Sequence, residues 1–367
     1  MKRYHLVRRP VQSLKRLLVY YLIGLVISLG IGAILLASLG INPFEYYGRM
    51  FTIGMVGNKY AYKNIEGFLK VLVPLLITSL ALGLSFKMRF RNIGGEGEFL
   101  IGAISAAIVA FNVTGLPRPV TIILMCIAAM LSSGLLGIAI AFFKVKFNTN
   151  ETLVTLMLNY IMLYVITYLG KTKEDWNFFL DPKSARPIFG KFPDSAIMDG
   201  IKIGNFKLLW SVVVAAVLVA LIYVYLKYTK HGYEIAVVGD SDATAKYAGM
   251  KVGKIIMRTM FISSALIGLA AGLTASASGT ISETITNNVG WTGIVVAWLG
   301  KLSTPAIAVT SVLIAILQFG CKTAATKYPS IDSNFADLMQ GIILFSVLTA
   351  DFAATFTIKK KEDAKNA

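Results

Sequence analysis

Charge is scarce in this sequence, and so are the residue types that build most metal and catalytic sites. Charged side chains make up 15% of its 367 residues, whereas a water-soluble domain carries about 25%. The two cysteines, Cys126 and Cys321, and the two histidines, His5 and His231, show no spacing that would hold a metal ion. These shortages exclude an ordinary soluble domain and argue against a metal-dependent membrane enzyme.

The phosphate-binding loop of ATPases is also missing. The nearest stretches, VGKII and LGKLS, have no glycine five residues before the glycine of their Gly-Lys pair, and that glycine is needed to cradle phosphates. We therefore predict no cofactor in this chain. If the protein drives uphill transport, a separate subunit must bind ATP and Mg.

Long apolar runs are abundant: 56% of the residues are hydrophobic, and a helix of about 20 apolar residues crosses a bilayer. The runs are Leu17–Leu39, Leu69–Phe86, Ile93–Phe111, Val120–Phe143, Thr152–Gly170, Leu208–Leu226, Met257–Ser278, Val289–Gly300, Thr304–Gly320 and Phe335–Ile358. They predict an all-α, multi-pass bundle of about ten transmembrane helices in the cell membrane.

The basic residues predict how this bundle is oriented. Most of the 36 Lys and Arg residues fall in cytoplasmic loops if both termini are inside the cell, as the positive-inside rule requires. The net charge of +17 is then a topology signal, and we expect no nucleic-acid partner. We predict one transmembrane domain, residues 1–367, with a cytoplasmic N-terminus (1–16), an external loop (171–207), a cytoplasmic loop (229–256) and a cytoplasmic tail (359–367).

Two short segments of the chain resemble each other. NIGGEG at Asn92–Gly97 and NVGWTG at Asn288–Gly293 share the order Asn, Ile or Val, Gly, two residues, Gly. By the predicted topology they begin on opposite sides of the membrane, as in transporters built from inverted repeats. A match this short arises as readily by chance, so an inverted pseudo-repeat and a coincidence both stay open.

Polar side chains near or inside the spans need partners. Glu96 and Glu98 either pair with Arg89 or Arg91 at the membrane edge or belong to an unwound segment beside a substrate path. Two residues apart on a helix, the two carboxylates cannot share a face. Asn159 lies about two turns inside its span, so its amide must bond another helix or face a hydrated cavity.

The cytoplasmic loop 229–256 carries the signals of a short helix. Ser241 is a good N-cap, Asp242 suits the first turn, Lys246 suits the last turn and Gly249 can end the helix with a positive φ. We predict a surface helix of about two turns. It is either a connector at the membrane surface or a knob that docks into a partner.

Four segments together resemble one family of membrane proteins. They are NIGGEGEFLIGA, NETLVTLMLNY, GYEIAVVGDSDATAKYAGM and GWTGIVVAWLGKLSTPAIAV, and they occur in the family's order and spacing. From about Leu69 to Phe356 the chain is similar to the permease subunits of ATP-binding-cassette (ABC) importers for ribose-type sugars and nucleosides. It most resembles the nucleoside branch. One departure is Glu98, where the family more often has glutamine.

The resemblance implies partners and a coupling site. In that family the cytoplasmic loop forms a coupling helix that contacts the ATPase. By the match, the contact residues here are Gly239, Asp240, Ser241, Asp242, Ala243, Thr244, Ala245, Lys246, Tyr247, Ala248 and Gly249. The family also implies an ABC ATPase pair that binds ATP and Mg, a second, commonly non-identical permease subunit, and an external lipoprotein that binds the substrate.

The expected function is therefore the substrate-conducting subunit of an ATP-driven importer for nucleosides or related sugars, itself without catalytic residues. The candidates for the substrate path are Asn92, Gly94, Gly95, Glu96, Asn159, Asn288 and Trp291. Trp291 either stacks on a base or sugar or anchors its helix at the membrane interface. The alternative is an ion-coupled secondary transporter of small polar solutes, although Glu151, Arg258 and Asp351 all lie near span ends rather than deep in the membrane.

Overall fold

The computed structural model of the protein describes residues 4–8, 14–58, 60–331 and 333–360. The helices in these residues are Leu14–Ser38 (α1), Pro43–Phe51 (α2), Ala61–Lys87 (α3), Gly95–Asn112 (α4), Arg118–Phe147 (α5), Glu151–Lys171 (α6), Trp210–Tyr228 (α7), Lys230–Asp240 (α8), Asp242–Tyr247 (α9), Val252–Ser278 (α10), Val289–Leu299 (α11), Thr304–Ala325 (α12) and Ser333–Thr355 (α13). The strands are Tyr4–Arg8 (β1), Gly200–Ile203 (β2), Phe206–Leu209 (β3) and Phe356–Lys360 (β4).

Local sequence explains where several helices begin and end. The side-chain oxygen of Asn150 accepts from the N–H of Thr152 at the start of α6, and Asn42 accepts from Phe44 in the same way before α2. Gly279, with φ of 70°, ends α10 in the left-handed region that glycine tolerates best. These caps satisfy backbone groups that the helices themselves leave unpaired.

Within the described residues, nine helices are long and apolar enough to cross a membrane, which confirms a multi-pass helical fold. The eighth of the ten predicted spans, Val289–Gly300, is not a full-length helix. Its helix α11 has 11 residues and at 1.5 Å per residue is about 16 Å long, about half of a bilayer core. The short strand pairs were not predicted.

The described parts of residues 1–64 and 316–367 form one compact unit. Helix α1 packs on α13, and Gly24 allows the close approach because a Cβ there would lie 2.7 Å from the Cβ of Ala350. Tyr46 of α2 is fully buried, and its hydroxyl donates to the carbonyl of Cys321 at 3.1 Å. Burial of a phenol raises the pKa of Tyr46 well above its usual range.

In the same unit, strand β1 pairs antiparallel with β4. Tyr4 lies opposite Lys360 and Arg8 opposite Phe356, so the first and last strands of the chain lie side by side. That both ends lie on the cytoplasmic side of the membrane stays a prediction.

Residues 65–315 form the second unit, with α4, α5 and α10 packed against one another at its centre. Helices α5 and α10 approach closely through small residues. A Cβ added at Gly268 would lie 2.2 Å from the carbonyl oxygen of Ala129, and one at Gly137 would lie 2.1 Å from the hydroxyl of Ser264. Side chains larger than hydrogen at these glycines are incompatible with this packing.

This unit has two opposite ends, which helix α3 connects. We call them the loop face, formed by residues 172–209, and the α8–α9 face. The N–H of Lys207 donates to the Glu66 carboxylate near the start of α3 at 2.6 Å. At the other end of α3, a Cβ added to Gly239 of α8 would meet the carbonyl oxygen of Lys87 at 2.0 Å. Helix α3 therefore runs from the loop face to the α8–α9 face.

The segment 279–300 runs the same way as α3, although only part of it is helical. The Gly279 carbonyl accepts from the N–H of Phe192 at 2.8 Å on the loop face. The ring of Trp298 lies 5.7 Å from that of Phe86, next to the other end of α3. The eighth predicted span thus corresponds to irregular backbone at 280–288 followed by α11, not to one continuous helix.

Candidate functional site

The turn before α4 is held in shape by Asn92. Its side-chain oxygen accepts from the N–H of Gly94 at 2.9 Å, and its amide donates to the Glu98 carboxylate at 3.0 Å. Both side chains are fully buried. Asn92 therefore fixes the start of α4 from within the protein.

Asn159 of α6 holds the same turn from the neighbouring helix. Its side-chain oxygen accepts from the N–H of Gly97 at 2.8 Å, and its amide donates to the carbonyl of Ile93 at 2.9 Å. The hydroxyl of Thr155 accepts from the N–H of Ile93 at 3.2 Å. These contacts are those of an interhelical bond, one of the two alternatives for this asparagine.

Glu96 connects this turn to α11. One carboxylate oxygen accepts from the N–H of Gly290 at 3.0 Å and from the N–H of Trp291 at 3.4 Å. These N–H groups belong to the first turn of α11, where a negative charge also complements the helix dipole. In the described chain, the partners of Glu96 and Glu98 are neutral groups, and neither forms an ion pair with Arg89 or Arg91.

The two similar segments meet at this point. A Cβ added at Gly290 would lie 2.4 Å from the backbone nitrogen of Glu96, and one at Gly95 would lie 3.3 Å from the Cα of Gly290. Asn288, just before α11, has φ of 59°. The backbones of both segments therefore touch, which needs glycine on both sides. An inverted repeat as their origin stays a prediction.

Glu98 sits deeper than Glu96, between α4 and its neighbours. Its side chain is fully buried, and its backbone carbonyl accepts from the hydroxyl of Ser133 at 2.6 Å. Its carboxyl group has two neighbours that can donate hydrogen bonds, the amide of Asn92 and the hydroxyl of Ser264. The site thus carries a buried carboxyl group in a position where an amide would satisfy the same bond from Asn92.

The seven predicted path residues differ in exposure. Asn92, Gly94, Gly95, Glu96 and Asn159 are buried and organise the turn. Asn288 and Trp291 are exposed, with 40% of the Trp291 side chain accessible. Of the seven residues, Asn288 and Trp291 are therefore the two with exposed side chains, and the substrate path itself stays a prediction.

The short helix predicted in the loop 229–256 is confirmed as α9. The hydroxyl of Ser241 accepts from the N–H of Thr244 at 3.3 Å, and Gly249 has φ of 75°. Ala245 packs inward, whereas 94% of the Tyr247 side chain is exposed. A large aromatic ring left in solvent at the tip of a helix suits contact with another protein.

The sequence analysis missed α8, which precedes α9 and anchors it to α10. Thr229 accepts from the N–H of Gly232 to cap α8. The guanidinium of Arg258 donates to the Glu234 carboxylate at 2.8 Å, and a ring nitrogen of His231 lies 3.4 Å from the same oxygen. The Arg258 contact lowers the pKa of Glu234. The Thr229 cap signal could have revealed this helix.

The chain matches, over residues 64–348, the family described as branched-chain amino acid transport system / permease component. A guanosine ABC transporter permease protein of Bacillus subtilis, NupP, is 30% identical over 95% of this chain and 98% of its own length. A nucleoside ABC transporter permease protein of Lactococcus lactis, NupB, is 27% identical over 82% of each chain. A glucose ABC transporter permease protein of Haloferax volcanii, TsgB13, is 26% identical over 90% of this chain and 87% of its own length.

Proposed function

The chain belongs to the family of permease components of branched-chain amino acid transport systems, and from this premise we propose that it conducts nucleosides into the cell. It is an integral membrane protein and a permease subunit of an ABC transporter, which does not itself hydrolyse ATP. This membership favours the ATP-driven importer over the ion-coupled secondary transporter. Such a permease works in general with an ATPase and a substrate-binding protein.

The main evidence for nucleosides as the substrate is the similarity to NupP over nearly the whole of both chains. NupB supports the same class of substrate. The glucose permease TsgB13 is similar at a lower identity, so sugars are the comparison that any test of substrate must include.

We place the ATPase at the α8–α9 face, with α9 as the coupling helix and residues 239–249 as its contact. ATP and Mg are bound by that partner. A substrate-binding lipoprotein docks on the loop face, residues 172–209, and a second, non-identical permease subunit completes the path. In this scheme ten crossings, counting segment 279–300 as one, leave both termini on one side of the membrane, which the basic loops assign to the cytoplasm.

Within this scheme, movement of α9 reaches the membrane through α8. The ion pair between Glu234 and Arg258 joins α8 to α10, and α10 packs on α4. The start of α4 holds the start of α11 through Glu96. A chain of contacts thus links the coupling helix to Trp291 and Asn288, where the Trp291 ring stacks on the base of a passing nucleoside.

Uptake of radiolabelled guanosine, uridine, ribose and glucose tests this proposal in cells with and without the gene. Each measurement is repeated after ATP depletion with the proton gradient clamped. We expect deletion to abolish ATP-dependent nucleoside uptake and to leave glucose uptake unchanged. Loss of sugar uptake alone would contradict nucleosides as the substrate. Nucleoside uptake that follows an ion gradient without ATP would contradict ATP-driven import.

A further inference from the structure

A basic groove opens on the α8–α9 face, beside the ends of the membrane-spanning helices. Its cavity has a volume of about 890 Å³. Three lysines line it: Lys87 at the end of α3, Lys227 near the end of α7 and Lys301 in the turn before α12. All twelve lining residues lie in the described part of the chain, and none of them is acidic. The groove therefore presents a concentration of positive charge.

The lysines of the groove have no carboxylate partner. In the described chain none of the three forms an ion pair. The ammonium of Lys227 donates to the hydroxyl of Tyr223 at 2.9 Å and lies 5.3 Å from the centre of its ring. A neutral partner leaves the charge of Lys227 free to attract an anion.

Between the lysines the groove has apolar side chains as well as the hydroxyl side chains of Ser303 and Thr304. Leu226, Leu302 and Pro305 line the cavity together with the lysines. Tyr233 of α8 lines it as well, with 64% of its side chain exposed. A small hydrated anion gains nothing from apolar walls, whereas a lipid has an anionic headgroup and apolar chains on one molecule.

We propose that this groove binds the headgroup of an anionic phospholipid from the inner leaflet. Basic pockets between membrane helices on the cytoplasmic side are suited to such headgroups, and the three lysines stand at helix ends where the headgroups lie. The inference rests on the proposed orientation, in which the α8–α9 face is cytoplasmic. A lipid bound here touches both α8 and the turn between α11 and α12, so it joins the coupling loop to the segment that contains α11.

Lipid retention by the assembled transporter, purified with its ATPase, tests the inference. The complex is reconstituted in nanodiscs of phosphatidylcholine with a small fraction of phosphatidylglycerol, and retained phosphatidylglycerol is counted by native mass spectrometry. The variants are Lys87→Gln, Lys227→Gln, Lys301→Gln and their triple combination. We expect each single substitution to weaken retention about fivefold, from the attraction that one lysine contributes near a membrane surface, and the triple variant to retain none above background.

The matched control is Lys254→Gln, which removes one exposed lysine from the start of α10 on the same face but outside the groove. It should retain phosphatidylglycerol as the wild type does. Equal retention by the triple variant, or equal loss in the control, would overturn the inference. Displacement of the lipid by millimolar inorganic phosphate would also overturn it, because the groove would then bind a free anion without using its apolar side chains.

A photo-reactive amino acid at Tyr233 separates a lipid from a protein occupant. Cross-linking to phosphatidylglycerol supports the groove as a lipid site, whereas cross-linking to the ATPase or to a second permease subunit contradicts it. Nucleoside uptake is measured in the same nanodisc lipids reconstituted as vesicles. If nucleoside uptake is ATP-driven but no lipid is retained, the lipid site is rejected and the proposed function is not. If uptake does not depend on the ATPase, the proposed function is rejected, and the comparison of lipid retention between variants still tests the groove.

Discussion

Removal of the Glu96 carboxylate should destabilise the start of α11. The carboxylate is buried and accepts from the N–H of Gly290 at 3.0 Å and from the N–H of Trp291 at 3.4 Å. Glu96→Ala leaves the buried Gly290 N–H without a partner, at a cost of about 1–3 kcal/mol. Loss of a negative charge at a helix N-terminus adds up to about 2 kcal/mol. Because relief from burying the carboxylate offsets part of this sum, we expect the free energy of unfolding to fall by about 2 kcal/mol.

Glu96→Gln is the matched control, because its amide oxygen can accept the same two bonds. We expect it to lose less than half of the free energy that the alanine variant loses. Unfolding is followed in detergent by titration with dodecyl sulphate, with tryptophan fluorescence as the signal. Nucleoside uptake should fall in Glu96→Ala, because the exposed Trp291 ring moves with the start of α11, and should be largely retained in Glu96→Gln.

Unfolding of Glu96→Ala at the same dodecyl sulphate concentration as the wild type would show that Glu96 does not stabilise the start of α11. Equal destabilisation of the alanine and glutamine variants would show that the charge of Glu96, and not its hydrogen-bond acceptor, holds α11. A variant that keeps its stability but loses uptake would instead assign Glu96 a direct role with the substrate.

Three further changes test other parts of the structure. Gly290→Ala should impair folding and uptake, because its Cβ would lie 2.4 Å from the backbone nitrogen of Glu96; normal surface expression and uptake would contradict the close contact. Because Arg258 lowers the pKa of Glu234, their ion pair should stabilise the protein at neutral pH and lose that effect as the pH falls through the lowered pKa. Glu234→Gln should therefore melt below the wild type at pH 7, with a difference that shrinks as the pH falls through the lowered pKa of Glu234. A difference in melting that does not change with pH would refute the pairing. Tyr247→Ala should leave melting unchanged, because 94% of the side chain is exposed, yet weaken ATPase binding in a pull-down; undiminished binding would argue against α9 as the contact.

The features that follow from local sequence were predictable. Apolar runs of membrane length gave the spanning helices, because helix length and bilayer thickness are fixed quantities. The cap at Ser241 and the positive φ at Gly249 predicted α9, because both are local signals that act within one turn of the helix.

The arrangement of the candidate site depends on residues far apart in the chain. Asn159 bonds a turn that lies more than sixty residues earlier, and Glu96 bonds the start of α11 across 194 residues. The apolar run Val289–Gly300 does not indicate that the residues before it, 280–288, are irregular. Hydropathy does not report how backbone groups are hydrogen-bonded. The similarity of the two glycine segments was visible in the sequence, but not that their backbones touch.

The discontinuous segment 279–300 constrains how the protein is made. Residues 280–288 pair part of their backbone in turns rather than in a helix, and lipid offers no partners to the remaining N–H and C=O groups. Helix α11 by itself is too short to be threaded into the bilayer as an independent element. This stretch can therefore leave the translocon only when α3 and α4, which are synthesised earlier, are already in place to receive it. Biogenesis of this protein must then include a late step in which a half-length helix is inserted against a preassembled bundle, and substitutions at Gly95 or Gly290 should act at that step.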